Sequence, residues 1–421
     1  MEKFVIYGGK PLYGKVKISG AKNSALAIMP ATLMTSDKTV LHNIPRVNDI
    51  FTMKKLLEKL GSKIEYDNET LEIDNSSITN MEAPYELVKK MRASIYVLGP
   101  LLSRYGYAKV SMPGGCAWGP RPINLHLEAM KKLGANLDFE EGYIIAKANR
   151  LHGAKISFDV SSVGATGNTL MAAVLAKGTT VIYNAAIEPE ITLLAQQLSK
   201  MGARINGIGS KTLEIEGVEE LHGIECENID DRIEAGTMLI AAALTHGKIS
   251  IEYSNPEHLE ILYEKLQESG VKLFVSKNLV EIDATENEII PVDISTAVYP
   301  GFPTDLQAQW IAYMSLAKGT SRITDKIYFD RFKHVPELNR LGANIQLVEN
   351  TAVVRGVEKL KGAKVMSTDL RASASLVLGG LAAEGKTEVL RIYHLDRGYQ
   401  RIEEKLRSLG ANIERVKTDE Y

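Results

Sequence analysis

Leu60-Gly-Ser-Lys-Ile returns five times along the chain, as Leu133-Gly-Ala-Asn-Leu, Met201-Gly-Ala-Arg-Ile, Ser269-Gly-Val-Lys-Leu, Leu341-Gly-Ala-Asn-Ile and Leu409-Gly-Ala-Asn-Ile. Its glycines, Gly61, Gly134, Gly202, Gly270, Gly342 and Gly410, stand 73, 68, 68, 72 and 68 residues apart. Before each lies a run with apolar residues at i, i+3 and i+4, such as Met53-Lys-Lys-Leu-Leu-Glu-Lys-Leu and Ile402-Glu-Glu-Lys-Leu-Arg-Ser-Leu. After it comes alternation, as in Lys63-Ile-Glu-Tyr. That order is an amphipathic helix, a glycine stop and a strand. A second element recurs in step, an alanine-rich helix, a turn and a strand. It is read at 172–176 before Gly178-Thr-Thr-Val-Ile-Tyr, at 241–244 before Gly247-Lys-Ile-Ser-Ile, and at 377–383 before Gly385-Lys-Thr-Glu-Val-Leu. Each unit therefore reads βαβαββ, an α/β (α+β) pattern. Solenoid units are shorter, about 20–45 residues, and have atypical caps, whereas the last copy here is as regular as the middle ones. The spacing predicts a closed pseudo-symmetric arrangement, two domains of three units, with the midpoint near 226–230.

The 421 residues carry 50 basic and 52 acidic side chains, a net charge of −2, with 45 % hydrophobic and 24 % charged residues. Such a chain builds real cores, and disorder is excluded. Without a cationic excess it is not a non-specific nucleic-acid binder. Its two cysteines, Cys116 and Cys226, form no Cys-x-x-Cys pair, and there is no His-Glu-x-x-His, so no metal site is expected. Two distant thiols fit a reducing, cytoplasmic setting. The first residues lack a signal-peptide core, and the apolar runs fall far short of the roughly 20 residues that span a bilayer.

The alanine-rich helices begin, 14 or 15 residues before their closing turns, with Lys22, Arg92, Gly164, Arg232, Asp305 and Arg371. A helix this rich in alanine and glycine is expected to be buried all round, so a charge at its start sits at an end of the core. Helix N-termini attract anions, and four of the six starts carry Lys or Arg. The plainer reading is caps and ion pairs between units. Asp305 is the one carboxylate among these six positions, either a cap or a general base held ionised by cations.

Ser111-Met-Pro-Gly-Gly-Cys-Ala-Trp-Gly-Pro-Arg-Pro-Ile-Asn lies between a strand, Tyr107-Ala-Lys-Val, and a helix. Loops present chemistry, and Cys116 there has the setting of a nucleophile or proton donor. Cys226, in a strand-like stretch, reads as a small buried hydrophobe. Gly207-Ile-Gly-Ser-Lys-Thr lacks the Gly-Lys-Ser/Thr order and the following helix of a phosphate loop, so it reads as a hairpin turn. Asp369 and Arg371 begin one helix and Arg397 precedes the last. The structural alternative for Arg397 is a pair with Asp396 or Glu403.

Gly20-Ala-Lys-Asn-Ser-Ala, Pro113-Gly-Gly-Cys, Arg121-Pro-Ile-Asn-Leu, Phe302-Pro-Thr-Asp-Leu-Gln-Ala-Gln, Arg331-Phe-Lys-His-Val-Pro-Glu-Leu, Thr368-Asp-Leu-Arg-Ala-Ser-Ala and Asp396-Arg-Gly-Tyr together resemble the UDP-N-acetylglucosamine enolpyruvyl transferases, in order and over the whole chain. The resemblance implies two inside-out α/β barrels of three βαβαββ units each. The first would be 21–229 and the second 1–20 with 230–421. It implies transfer of the enolpyruvyl group of phosphoenolpyruvate to the C3 hydroxyl of UDP-N-acetylglucosamine with loss of phosphate, the first committed step of peptidoglycan synthesis, with no cofactor. By the same resemblance Cys116 is the proton donor and the target of fosfomycin, and Asp305 the base. Lys22, Arg121 and Arg397 meet the anionic donor, Asn23 the phosphate region, and Asp369 assists proton transfer. Arg371 joins the substrate contacts. Arg92, Arg121, Pro122, Ile123, Asn124, Leu125, Ser162, Val163, Gly164, Asp305 and Ile327 match positions that bind the nucleotide sugar. Two positions depart from the common pattern: Val160, where many members have Lys, and Asn124, where many have Asp. The alternatives are an enolpyruvyl-shikimate-phosphate synthase, which lacks the Pro-Gly-Gly-Cys loop, and a silent sugar-nucleotide-binding paralogue, which would have lost Cys116, Asp305 or Arg397.

Overall fold

The computed structural model describes residues 1–112 and 123–420. Its chain forms two compact units, one of 1–19 with 230–420 and the other of the described residues in 20–229. Among the described residues each unit holds three four-stranded sheets built to one plan, and the repeat glycines show why. All six adopt left-handed backbone, with φ between 91° at Gly342 and 118° at Gly61. A side chain there would cost about 1–2 kcal/mol, so glycine ends each amphipathic helix and turns the chain into a strand. Helix Asn48–Leu60 is representative. It buries Ile50, Met53, Leu56, Leu57 and Leu60 and ends on Gly61, whose N–H returns to Leu57 and Glu58.

Every sheet pairs two parallel strands, then adds two antiparallel ones. In one, Lys155–Ser157 runs parallel to Thr179–Tyr183, which pairs antiparallel with Thr212–Glu216, and that with Arg204–Asn206. The turn of this last pair holds Gly207 and Gly209 at φ 80° and 81°, so the Gly207–Thr212 stretch is the expected hairpin. Among the described residues three sheets recruit a strand from far along the chain, one of them by pairing Tyr13–Lys17 in parallel with Lys248–Glu252. Glu225–Glu227, with Cys226 buried, lies parallel to Thr39–His42. The first strand, Glu2–Tyr7, is inserted between Lys386–Leu390 and Asn412–Lys417 near the C-terminus. Among the described residues each sheet stays a separate four-stranded sheet. The inside-out barrel is therefore helices enclosed by sheets, not a continuous ring of hydrogen bonds.

The alanine-rich helices are buried as their composition requires. In Arg232–Leu244 every residue from Ile233 onward is buried, as is every residue of Gln307–Met314 and all but Ala382 of Leu370–Ala382. Trp310 is fully enclosed, edge-on to Phe302 and Tyr313 at 5.5 and 5.4 Å, with its indole N–H donating to the Val292 carbonyl at 3.3 Å. Small residues permit this packing. A Cβ on Gly99 would stand 2.4 Å from the Asn168 carbonyl oxygen. The Asn168 amide instead bridges the helices, accepting from Gly99 N–H at 2.7 Å and donating to the Ile95 carbonyl at 2.8 Å. No described helix is long and apolar enough to cross a membrane.

Candidate active site

The six positions at matched offsets stand in the first turns of helices or 3-10 turns. In the unit of 20–229, Lys22 opens helix Lys22–Ala31 and Arg92 opens the 3-10 turn Arg92–Val97. Gly164 is second in Val163–Ala173, behind Ser162, whose hydroxyl accepts the Ala165 N–H at 3.2 Å as the cap. In the unit of 230–420, Arg232 opens Arg232–Leu244, Asp305 lies in the 3-10 turn Thr304–Leu306, and Arg371 is second in Leu370–Ala382.

The chain is led tightly into Lys22. A Cβ on Gly20 would fall 1.7 Å from the Asn43 carbonyl oxygen. Asn228 then ties this entry down, donating to the carbonyls of Ala21 and Asn43 at 3.0 Å each and accepting from the Ser24 hydroxyl. Lys22 is buried, with Nζ 3.2 Å from Asp49 Oδ2, and Asn23 beside it is half-buried. Ile123 and Leu125 flank the start of helix Asn124–Lys132 and pack against the hydrophobic core, while Asn124 is exposed. That packing is a structural role for two of the residues matched to the sugar nucleotide. The same helix carries His126, which the sequence did not single out. It is buried, its Nδ1 lies 3.1 Å from Asn168 Nδ2, and a Cβ on Gly164 would come within 3.1 Å of its ring. Burial, with the Arg92 charge nearby, pushes His126 down to about 4, so it is neutral at pH 7. Val163 and Val160 are exposed. Cys116, Arg121 and Pro122 lie outside the described residues.

In the other unit Asp305 is not a cap. Its Oδ1 is 2.8 Å from Arg331 Nη1 and its Oδ2 is 2.8 Å from Arg371 Nη2. Burial pushes this carboxyl up, but the Arg371 and Arg331 guanidiniums outweigh it and hold it well below the usual carboxylate range. Arg371 is 3 % exposed, lies over the Tyr399 ring at 5.4 Å, and has Nε and Nη1 without an acceptor among the described residues. Buried guanidinium donors without acceptors are costly unless an anion takes them. Arg331 belongs to the 331–338 motif, and the fold brings it to Asp305.

Asp369 is the N-cap of Leu370–Ala382, its Oδ1 accepting from the N–H groups of Arg371 and Ala372 at 2.9 Å each. Those bonds leave Oδ2, which accepts from the Thr368 hydroxyl at 3.2 Å, as the oxygen not engaged in capping. Beside it His334 is buried, and burial holds it down at about 4 against the pull of Asp369. Arg397 ends the 3-10 turn Ile392–Arg397. Arg415 pairs with both Asp396 and Glu403, at 2.7 and 2.8 Å. Ile327 is half-buried, its N–H donating to Asp325 Oδ1 at 2.9 Å.

Residues 6–406 match the family described as EPSP synthase (3-phosphoshikimate 1-carboxyvinyltransferase). The chain is 60 % identical to the UDP-N-acetylglucosamine 1-carboxyvinyltransferase of Chloroherpeton thalassium, covering 100 % of this chain and 99 % of that one. It is 56 % identical to the enzyme of the same name from Chlorobium chlorochromatii, over the full length of both. Among solved structures, the enolpyruvyl transferase NikO from Streptomyces tendae superposes with a TM-score of 0.90 at 27 % identity over 99 % of each chain. An EPSP synthase from Acinetobacter baumannii, 17 % identical, covers 99 % of this chain and 100 % of its own with a TM-score of 0.75, a likeness of fold alone. Full-length identity at this level, on the enolpyruvyl transferase fold, makes the chain a member of the UDP-N-acetylglucosamine 1-carboxyvinyltransferase family, within the wider EPSP synthase family.

Proposed function

We propose that this protein transfers the enolpyruvyl group of phosphoenolpyruvate to the C3 hydroxyl of UDP-N-acetylglucosamine, releasing phosphate, as the first committed step of peptidoglycan synthesis. The observation that carries the reading is the 60 % identity, end to end, to an enzyme named for this reaction. The chemistry asks for an acid, a base and cations. In addition, the sugar oxygen bonds to C2 of phosphoenolpyruvate as its proton leaves and a proton is added at the vinyl CH2. In elimination, a proton leaves the new methyl group, the C2–O bond to phosphate breaks, and the vinyl group is restored.

Cys116 supplies the proton to the vinyl carbon and is the thiol that fosfomycin, an epoxide resembling the donor, would alkylate. Asp305 takes the hydroxyl proton. A carboxylate held this low is a weak base, so the proton leaves late, as the C–O bond forms. Its two arginines support the role, since they keep it ionised, and Arg371 brings donors for an anion to the same place. Lys22, Arg121, Arg397 and Arg371 meet the negative charges of the donor and the departing phosphate, with Asn23 beside Lys22. Asp369, which caps its helix through Oδ1, assists proton transfer. Arg92, Pro122, Ile123, Asn124, Leu125, Ser162, Val163, Gly164 and Ile327 bind the nucleotide sugar.

Phosphate release with phosphoenolpyruvate and UDP-N-acetylglucosamine tests the reading. Release with shikimate 3-phosphate instead would move the protein to the EPSP synthase reaction, and release with neither would make it a binding protein. Cys116→Ser is expected to lose nearly all turnover. Cys116→Asp should keep part of it and escape fosfomycin, and inactivation of that variant at the original rate would remove the thiol from the mechanism.

A further inference from the structure

Asp325 has no place in the chemistry above, yet it is fully buried and its carboxylate meets four donors. Oδ1 accepts from the Thr296 hydroxyl at 2.8 Å and from the N–H groups of Ile327 and Tyr328 at 2.9 and 2.8 Å. Oδ2 accepts from the Thr304 hydroxyl at 2.7 Å. The Thr304 oxygen in turn accepts from Arg331 Nη1 at 3.0 Å, the same nitrogen that reaches Asp305 at 2.8 Å. The Asn350 amide holds the Asp325 carbonyl at 3.0 Å, so the backbone of this residue is fixed as well.

We propose that Asp325 is a positioning residue that sets two parts of the site from one carboxylate. Through Oδ1 it shapes the turn that presents Ile327 to the nucleotide sugar. Through Oδ2, Thr304 and Arg331 it fixes the direction from which the guanidinium grips the base Asp305. A buried carboxylate is costly to desolvate unless its lone pairs are filled, and here two of the filling groups, the Ile327 N–H and the Thr304 hydroxyl, lead to residues with proposed roles. Misplacement of a reacting group by about 1 Å can cost on the order of 100-fold in rate. The inference rests on the proposed roles of Asp305 and Ile327.

The two branches separate by mutation. Thr304→Val keeps the side-chain shape and the Oδ1 branch but breaks the link to Arg331. It is expected to lower kcat about 10- to 100-fold with KM for UDP-N-acetylglucosamine little changed. Thr304→Ser, which restores the hydroxyl, should recover most of the rate. Asp325→Asn perturbs both branches and should lower kcat and also raise KM for the sugar nucleotide. If Asp325→Asn fails to fold, the Thr304 pair decides alone. Wild-type kcat in Thr304→Val, or an equal loss in Thr304→Ser, overturns the proposal. Asp305→Asn is measured alongside. Inactive Asp305→Asn with unaffected Thr304→Val refutes the positioning role alone, whereas active Asp305→Asn refutes the base and the positioning role together.

Discussion

The two units repeat one plan but fill their helix starts with different chemistry. In the unit of 230–420 the carboxylate Asp305 lies between two guanidiniums, Arg331 and Arg371, each 2.8 Å away. In the unit of 20–229 the matched positions hold a buried ammonium, Lys22, and a glycine pressed against His126, an imidazole kept neutral by burial. The contrast teaches that pseudo-symmetry fixes where a side chain stands, at the end of a buried helix, and leaves free what it does there. One unit holds a carboxylate ionised between guanidiniums. The other sets a buried ammonium and a glycine beside a neutral imidazole.

Asp305→Asn should have the largest effect. If the carboxylate is the base, phosphate release falls on the order of 100- to 10,000-fold while the protein still melts cooperatively. A normal rate would reduce the Arg331–Asp305–Arg371 cluster to an ion pair of the fold.

Next in size is the acid response of the buried imidazoles. The folded value for His126 is about 4 against an ordinary 6.5, so the unfolded chain takes up its proton first as the pH falls. Stability from this group is complete above 6.5 and is lost progressively down to about 4, roughly 3 kcal/mol in all. His334, in the other unit, contributes in the same window. Urea titrations between pH 7 and 4 should show the fall, and His126→Gln should flatten it, leaving the His334 share. A pH-independent midpoint would mean that neither imidazole is buried neutral.

Arg371→Met comes third. Asp305 keeps Arg331, and its side chain is 25 % exposed, so the loss in unfolding free energy is about 2 kcal/mol rather than that of an isolated buried charge. A loss no larger than that of a surface substitution would show that the clamp is not tight in solution. The smallest effect is expected from Ser162→Ala, which removes one cap bond and about 1 kcal/mol. Urea unfolding reads that loss, and an accompanying rise in KM for the sugar nucleotide would add a contact to the cap.

Much of this was legible along the chain. Six evenly spaced glycines announced the repeat, because only glycine stops a helix in left-handed backbone without strain. Alanine-rich composition announced the buried helices, and their first residues marked the charged positions. Cys226 reads correctly as a buried small residue, and the Gly207–Thr212 stretch as a turn.

What sequence could not announce are partners joined across long separations. Glu2–Tyr7 completes a sheet with strands beyond residue 386, Asn228 fixes the entry to Lys22, and Arg331 and Asp325 converge near Asp305 through Thr304. The periodicity and the residue types at the helix starts follow from local backbone and burial rules, and so can be read along the chain. Which carboxylate caps a helix and which is gripped by arginines was decided only in three dimensions. Asp305 and Asp369 both stand at helix starts. They differ because Asp369 turns its oxygen to its own helix's free N–H groups, while the fold delivers two guanidiniums to Asp305.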